Sequence, residues 1–150
     1  MHMKSMVGFL VAIAMPLMAG PENASVKFWI QLVNGSQAAP AVQPAHWKPI
    51  GSDLNKRLSN VFRWRQYYEV ARQEIQVEPG KIAKARLADA REVAITFKSP
   101  TELEVRLYRD GRLIRKSQRT LHHRMTIMGD DGNDREAWFV VVRRDQPPKN

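Results

Sequence analysis

For most of its length the chain alternates apolar and polar positions with a period of two, the signature of half-buried β-strands. "SVKFWIQLVNGS" puts Val26, Phe28, Ile30 and Leu32 on one side and Trp29 on the other, with Asn34-Gly35-Ser36 read as the turn that ends it. "YYEVARQEIQV" runs to the turn Glu78-Pro79-Gly80, and "KIAKARL" follows with Ala83, Ala85 and Leu87 in alternation. "EVAITFK" aligns Val93, Ile95 and Phe97 before Ser99-Pro100, and "ELEVRLY" aligns Leu103, Val105 and Leu107. Asp110-Gly111 is the strongest hairpin signal in the chain and predicts a two-residue type I′ turn. "RLIRKSQRTL" then returns antiparallel, "RMTIM" is a short strand, Gly129 to Asp134 a loop, and "AWFVVVRR" the last strand. Trp138 to Val142 is apolar at every position, so that strand is central and covered on both faces.

One segment departs from this period. Leu54, Leu58, Val61 and Phe62 recur at i, i+4, i+7 and i+8, a single apolar stripe, with Ser52 as N-cap and Asp53 in the first turn. The preceding segment, Gln37 to Pro49, is rich in Ala and Pro and has no period; it reads as a long loop that packs through Trp47 or moves. Seven or eight short strands with one short helix predict an all-β domain, an antiparallel β-sandwich or partly open barrel.

The N-terminus sets the expected compartment. "MHMKSMVGFLVAIAMPLMAG" has Lys4, an apolar run from Met6 to Met18 interrupted at Pro16, and small residues at Ala19 and Gly20, the layout of a secretory signal peptide spanning residues 1–19. The run falls short of the roughly 20 apolar residues a membrane span needs. An uncleaved anchor is the alternative. The expected layout is then residues 20–50 for the first strand and loop, 51–145 for the main body of one domain, and 146–150 as a disordered tail. The chain has 150 residues, no cysteine and a formal net charge of +9. Removing residues 1–19 takes away Lys4 and no acid, leaving +8 (9 − 1). Without cysteine, neither a disulfide framework nor a thiolate metal site exists.

Two stretches carry candidate chemistry. "VFRWRQYYEV" interleaves arginines with aromatics, so Trp64 and Tyr67 offer either a ligand-stacking surface or the closure of a small sandwich at a helix-to-strand junction. With a two-residue loop at Asp110-Gly111, opposed residues sum to 221: Leu107 faces Ile114, Val105 faces Lys116, and Arg106 faces Arg115. Like charges opposed in this way destabilise a pair by up to about 1 kcal/mol. Either Glu104 or Glu102 reaches diagonally or solvent alone offsets them, or Arg106, Arg109, Arg112, Arg115 and Arg119 form a guanidinium strip for an anionic polymer, lipid head group or partner.

Other motifs are weaker. "GDDGND" with Glu136 has oxygens enough for Ca²⁺ but misses the EF-hand spacing, and reads as a polar hairpin loop. His122 and His123 are adjacent, so on a strand they would face opposite ways. No nucleophile elbow, no paired carboxylates in an apolar setting and no glycine-rich loop before a helix stand out, and no metal, cofactor or catalytic residue is assigned.

The string "WKPIGSDLNKRLSNVFRWRQYYEV", together with "WFVVVRRD", resembles a group of small exported bacterial proteins over residues 47–145. The resemblance implies a secreted β-rich domain and carries over no site residue. The expected function is a periplasmic or secreted accessory protein of the cell envelope, binding an anionic surface or partner protein through the basic hairpin. Nucleic acid is disfavoured by export. The rival expectation is a small extracytoplasmic hydrolase or inhibitor with its site between the 37–49 loop and Trp64.

Overall fold

The computed structural model describes residues 25–38 and 43–149. The expected signal peptide lies outside them. Nine strands and one helix follow in order: β1 (Val26–Ser36), β2 (Lys48–Pro49), α1 (Ser52–Val61), β3 (Gln66–Val77), β4 (Ile82–Arg86), β5 (Arg91–Ser99), β6 (Glu102–Arg109), β7 (Arg112–Thr120), β8 (Met125–Gly132) and β9 (Glu136–Arg143). They form two antiparallel sheets, one ordered β2-β3-β1-β9-β8 and the other β4-β5-β6-β7. The sheets stack as a sandwich, and no closed barrel is present among the described residues.

Alternation in the sequence becomes two cores on the two faces of the five-stranded sheet. Phe28, Ile30 and Leu32 of β1 and Val140 and Val142 of β9 meet Val93, Ile95, Leu103, Val105 and Leu107 of the opposite sheet. On the outer face, Val33, Phe139 and Val141 pack with Tyr67, Trp64, Ile50 and the α1 residues Leu54 and Leu58. The helix is therefore a third layer. Leu54 and Leu58 are 1% and 0% exposed, and each contributes about 1.5–3 kcal/mol by leaving water. Strand β9 pairs with both β1 and β8, and its faces meet different cores, Trp138, Val140 and Val142 on one and Phe139 and Val141 on the other, which accounts for the unbroken apolar run.

Several boundaries differ from the sequence reading. Strand β1 does not stop at Asn34-Gly35-Ser36 but continues through it, pairing with β3 and β9. Asn34 is buried and its side-chain amide donates to Glu136. A Cβ on Gly35 would meet the Tyr67 and Trp64 rings at 3.0 and 3.1 Å; glycine stands here for close packing, not for a turn. The 37–49 segment returns to the sheet as β2, pairing Lys48 and Pro49 with Glu69 and Tyr68, while Trp47 packs edge-on against Trp138 at 5.9 Å.

Ser52 is the first helical residue and not the cap. Gly51 holds the N-cap position with no side-chain bond, and its carbonyl accepts from Asn55. Val61 is 74% exposed, because the chain leaves the helix into extended backbone at Phe62, and Phe62 alone turns back onto Phe139 at 4.6 Å. The Gly129–Asp134 stretch is mostly strand: β8 runs on to Gly132 with an irregular register between Gly129 and Gly132. The tail is also placed. Pro147 is buried, Pro148 lies where a Cβ on Gly51 would be, at 2.9 Å, and Arg72 donates to the carbonyls of Pro147 and Pro148.

Candidate functional site

The β6–β7 hairpin has its type I′ turn, with Asp110 at φ 50° and Gly111 at φ 74°. Pairing follows the expected sum only for Arg109 with Arg112 and Tyr108 with Leu113; the register then shifts, leaving Ile114 without an opposed residue. Leu107 therefore faces Arg115, Arg106 faces Lys116, and Val105 faces Ser117. The predicted Arg106–Arg115 opposition is replaced by Arg106–Lys116, because a bulge moves every later pair by one residue.

That like-charge pair is resolved by a carboxylate between its members. Glu104, whose side chain is 2% exposed, accepts from Arg106 Nε at 2.5 Å and lies 3.3 Å from Lys116 Nζ and 3.5 Å from Lys98 Nζ. Burial pushes its pKa up, but the close Lys116 ammonium and the Arg106 guanidinium, which donates to the carboxylate, outweigh it, so the carboxyl sits below the usual Glu range.

The same alternation divides the guanidinium strip. Arg106 is on the outer face of the sheet with Glu104, whereas Arg115 and Arg119 oppose the core residues Leu107 and Leu103 and so take core-facing positions on β7. Arg109 and Arg112 continue that side, and Arg91 of β5 opposes Arg109, so three arginines stand in one row across β5, β6 and β7. Arg91 was not legible as part of this group from sequence. Its signal was Asp89-Ala90, a second pair of residues at positive φ, 57° and 55°, which bends β4 into β5 and brings Arg91 beside the other hairpin.

One aspartate lies against two members of the row. Asp130 of β8, with its side chain fully buried, accepts from Arg91 Nε at 2.5 Å and lies 3.5 Å from Arg109 Nη1. Arg91 is 5% exposed, covers the Trp138 ring at 4.7 Å, and has Asp89 as a further partner at 3.5 Å. Arg115 Nε donates to the carbonyl of Gly129, tying the free edge of one sheet to that of the other. Beyond the row, β7 is an edge strand carrying Arg112, Arg115, Lys116 and Arg119 with no acidic residue.

The other candidates are placed as follows. Trp64 and Tyr67 are 8% and 2% exposed beneath α1, and burial raises the Tyr67 phenol's pKa; packed rings leave no face for stacking a ligand, which corrects their assignment as binding residues. Trp47 belongs to the inter-sheet core and Trp64 to the helix-side core, so the two do not line one hollow as the hydrolase reading requires. The loop oxygens considered for Ca²⁺ are engaged: Asp130 with arginines, Asn133 as acceptor for the Arg135 and Glu136 amides, and Glu136 with Asn34. No group of His, Asp and Glu suited to a metal occurs among the described residues. His122 and His123 lie in the turn between β7 and β8, where period two does not apply, and both line the same cleft beside Arg124.

Among the described residues no helix is long and apolar enough to cross a membrane. Comparison with protein-family models, curated proteins and solved structures returned no match for the chain.

Proposed function

We propose that the protein is an exported, envelope-associated binding protein whose β6–β7 hairpin recognises an anionic partner. The observation that carries this reading is β7 itself: an edge strand with one backbone edge unpaired among the described residues, four basic residues and no acid. An edge with free N–H and C=O groups takes up an extended strand. Its charge rejects a second copy of itself and favours an acidic segment, so an acidic stretch of another envelope protein is the partner that uses both properties. Export rests on the sequence of residues 1–19.

The test is retention of an immobilised acidic peptide with alternating glutamates by the wild-type chain and by an Arg112→Glu/Arg115→Glu/Arg119→Glu variant. Wild type should be retained at low salt and released as salt screens the contact, the variant should not be retained, and hydrogen exchange at the β7 amides should slow on binding. Equal retention of the two proteins, or unchanged β7 exchange, removes the proposal.

A further inference from the structure

At the end of the sandwich away from the hairpin tip, the β7–β8 turn, the end of β9 and the exposed side of α1 enclose a cleft of about 450 Å³. Arg143, the last residue of β9, lies in its wall with a side chain 6% exposed. It donates through Nε and Nη2 to Asp145, and that hydrogen bonding holds the Asp145 carboxyl below the usual range. Its Nη1 nitrogen has no hydrogen-bond partner among the described residues. A nearly buried guanidinium fastened on one side and unpaired at the other nitrogen is a prearranged donor.

Two further guanidinium groups, Arg57 of α1 and Arg124 before β8, line the same cleft and are exposed; neither makes a hydrogen bond among the described residues, and the charge of Arg124 acts on Asp145. His122 and His123 complete that side, and Asp53 is the one other acid lining it. Among the arginines and aspartates of the lining, positive charges exceed negative ones by one (3 − 2). A second hollow, lined by Ser25, Val26, Lys27 and Arg144, shares Arg124 and Asp145 with the first.

We infer that this cleft is a binding site for a phosphate-monoester group, distinct from the β7 surface. The reasoning is one of donor count and charge. Three guanidinium and two imidazole groups offer more donors than a carboxylate's two oxygens accept, whereas a phosphoryl group presents three oxygens and close to two negative charges. The adjoining hollow leaves room for the alcohol that carries the phosphate.

The amide spectrum of the full chain, titrated with inorganic phosphate and with glycerol 3-phosphate, tests this. Saturable shifts at Arg57, His122 to Arg124 and Arg143 to Asp145 are expected, larger at Ser25 to Lys27 for the organic ester. Arg57→Ala and Arg124→Ala, both at exposed positions, should each weaken binding about tenfold or more. The Arg112→Glu/Arg115→Glu/Arg119→Glu variant should bind phosphate as wild type does, so the two sites fail or stand separately. Vesicles containing phosphatidic acid distinguish a lipid source from a soluble one: competition with glycerol 3-phosphate marks the lipid head group as occupant, and its absence marks a soluble ester. No saturable shift up to about 10 mM, or unchanged binding in the Arg57 and Arg124 variants, overturns the inference.

Discussion

Replacing Asp130 with Asn tests how the charged end of the sandwich is held together. The change keeps the shape of the side chain and removes its charge, leaving Arg91, 5% exposed, without the carboxylate that its Nε meets at 2.5 Å. Removing one member of a buried pair costs about 3–5 kcal/mol, because the remaining charge stays desolvated and uncompensated. Two features pull the value to the lower end. Asp89, 67% exposed, remains 3.5 Å from Arg91, and the Trp138 face still lies against the guanidinium, the latter contributing about 0.5–2 kcal/mol. A loss of about 3 kcal/mol is expected, a large share of the roughly 5–15 kcal/mol that holds a typical domain folded. Urea unfolding followed by tryptophan fluorescence reads it as a lower midpoint at unchanged slope. The companion is Arg91→Met/Asp130→Leu, which removes both charges. It should lose less than Asp130→Asn alone, since apolar replacement of a whole buried pair is often close to neutral. A single-variant loss below about 1 kcal/mol, or a double-variant loss equal to the sum of the two single ones, would refute the assignment of a coupled buried pair.

Further outcomes follow from the same packing. Gly35→Ala drives a methyl into the Trp64 and Tyr67 rings at 3.0–3.1 Å and should cost about 1–3 kcal/mol by overpacking, read as a lower melting temperature. Ala90→Gly should stabilise by a few tenths to about 1 kcal/mol: the left-handed conformation at φ 55° costs alanine about 1–2 kcal/mol, and glycine's extra freedom in the unfolded chain offsets part of the gain. Glu104→Gln should destabilise at neutral pH and lose less stability on acidification than wild type. The folded-state pKa of Glu104 is depressed, so its contribution is complete above the unfolded value and disappears as pH falls through the lower folded one. Urea midpoints at neutral pH and well below the carboxylate range give the comparison; an identical acid response in both proteins would be evidence against the Glu104 ion cluster.

The fold class was legible because strand alternation is a local property: Phe28, Ile30, Leu32 and Val93, Ile95 each face one core as their spacing requires. The aromatic junction was only half legible: the end of one stripe and the start of another could be read, but not whether Trp64 and Tyr67 are covered. Local reasoning failed where a long-range partner overrides a local signal. Asn34-Gly35 has turn chemistry, yet β3 and β9 both claim its backbone and the Trp64 ring fills the space above it. The hairpin register failed at one bulge, which cannot be seen in residues that are polar or apolar on either count. The division of the arginines, the arrival of Arg91 beside Arg109, and the cleft joining Arg57 to Arg143 all depend on sheet order and on where α1 lies, which spacing along the chain does not encode. The contact of the tail with Arg72, more than seventy residues upstream, is likewise not encoded in its polar, proline-rich composition.

Strand β1, near the start of the described body, is flanked by β9, near its end. One of the two strands bonded to β1 is thus supplied from far along the chain, and a pairing across so long a sequence separation forms slowly. A chain in which β9 has not yet docked leaves β1 with a vacant neighbour and both cores open, so neither core closes before this distant pairing does.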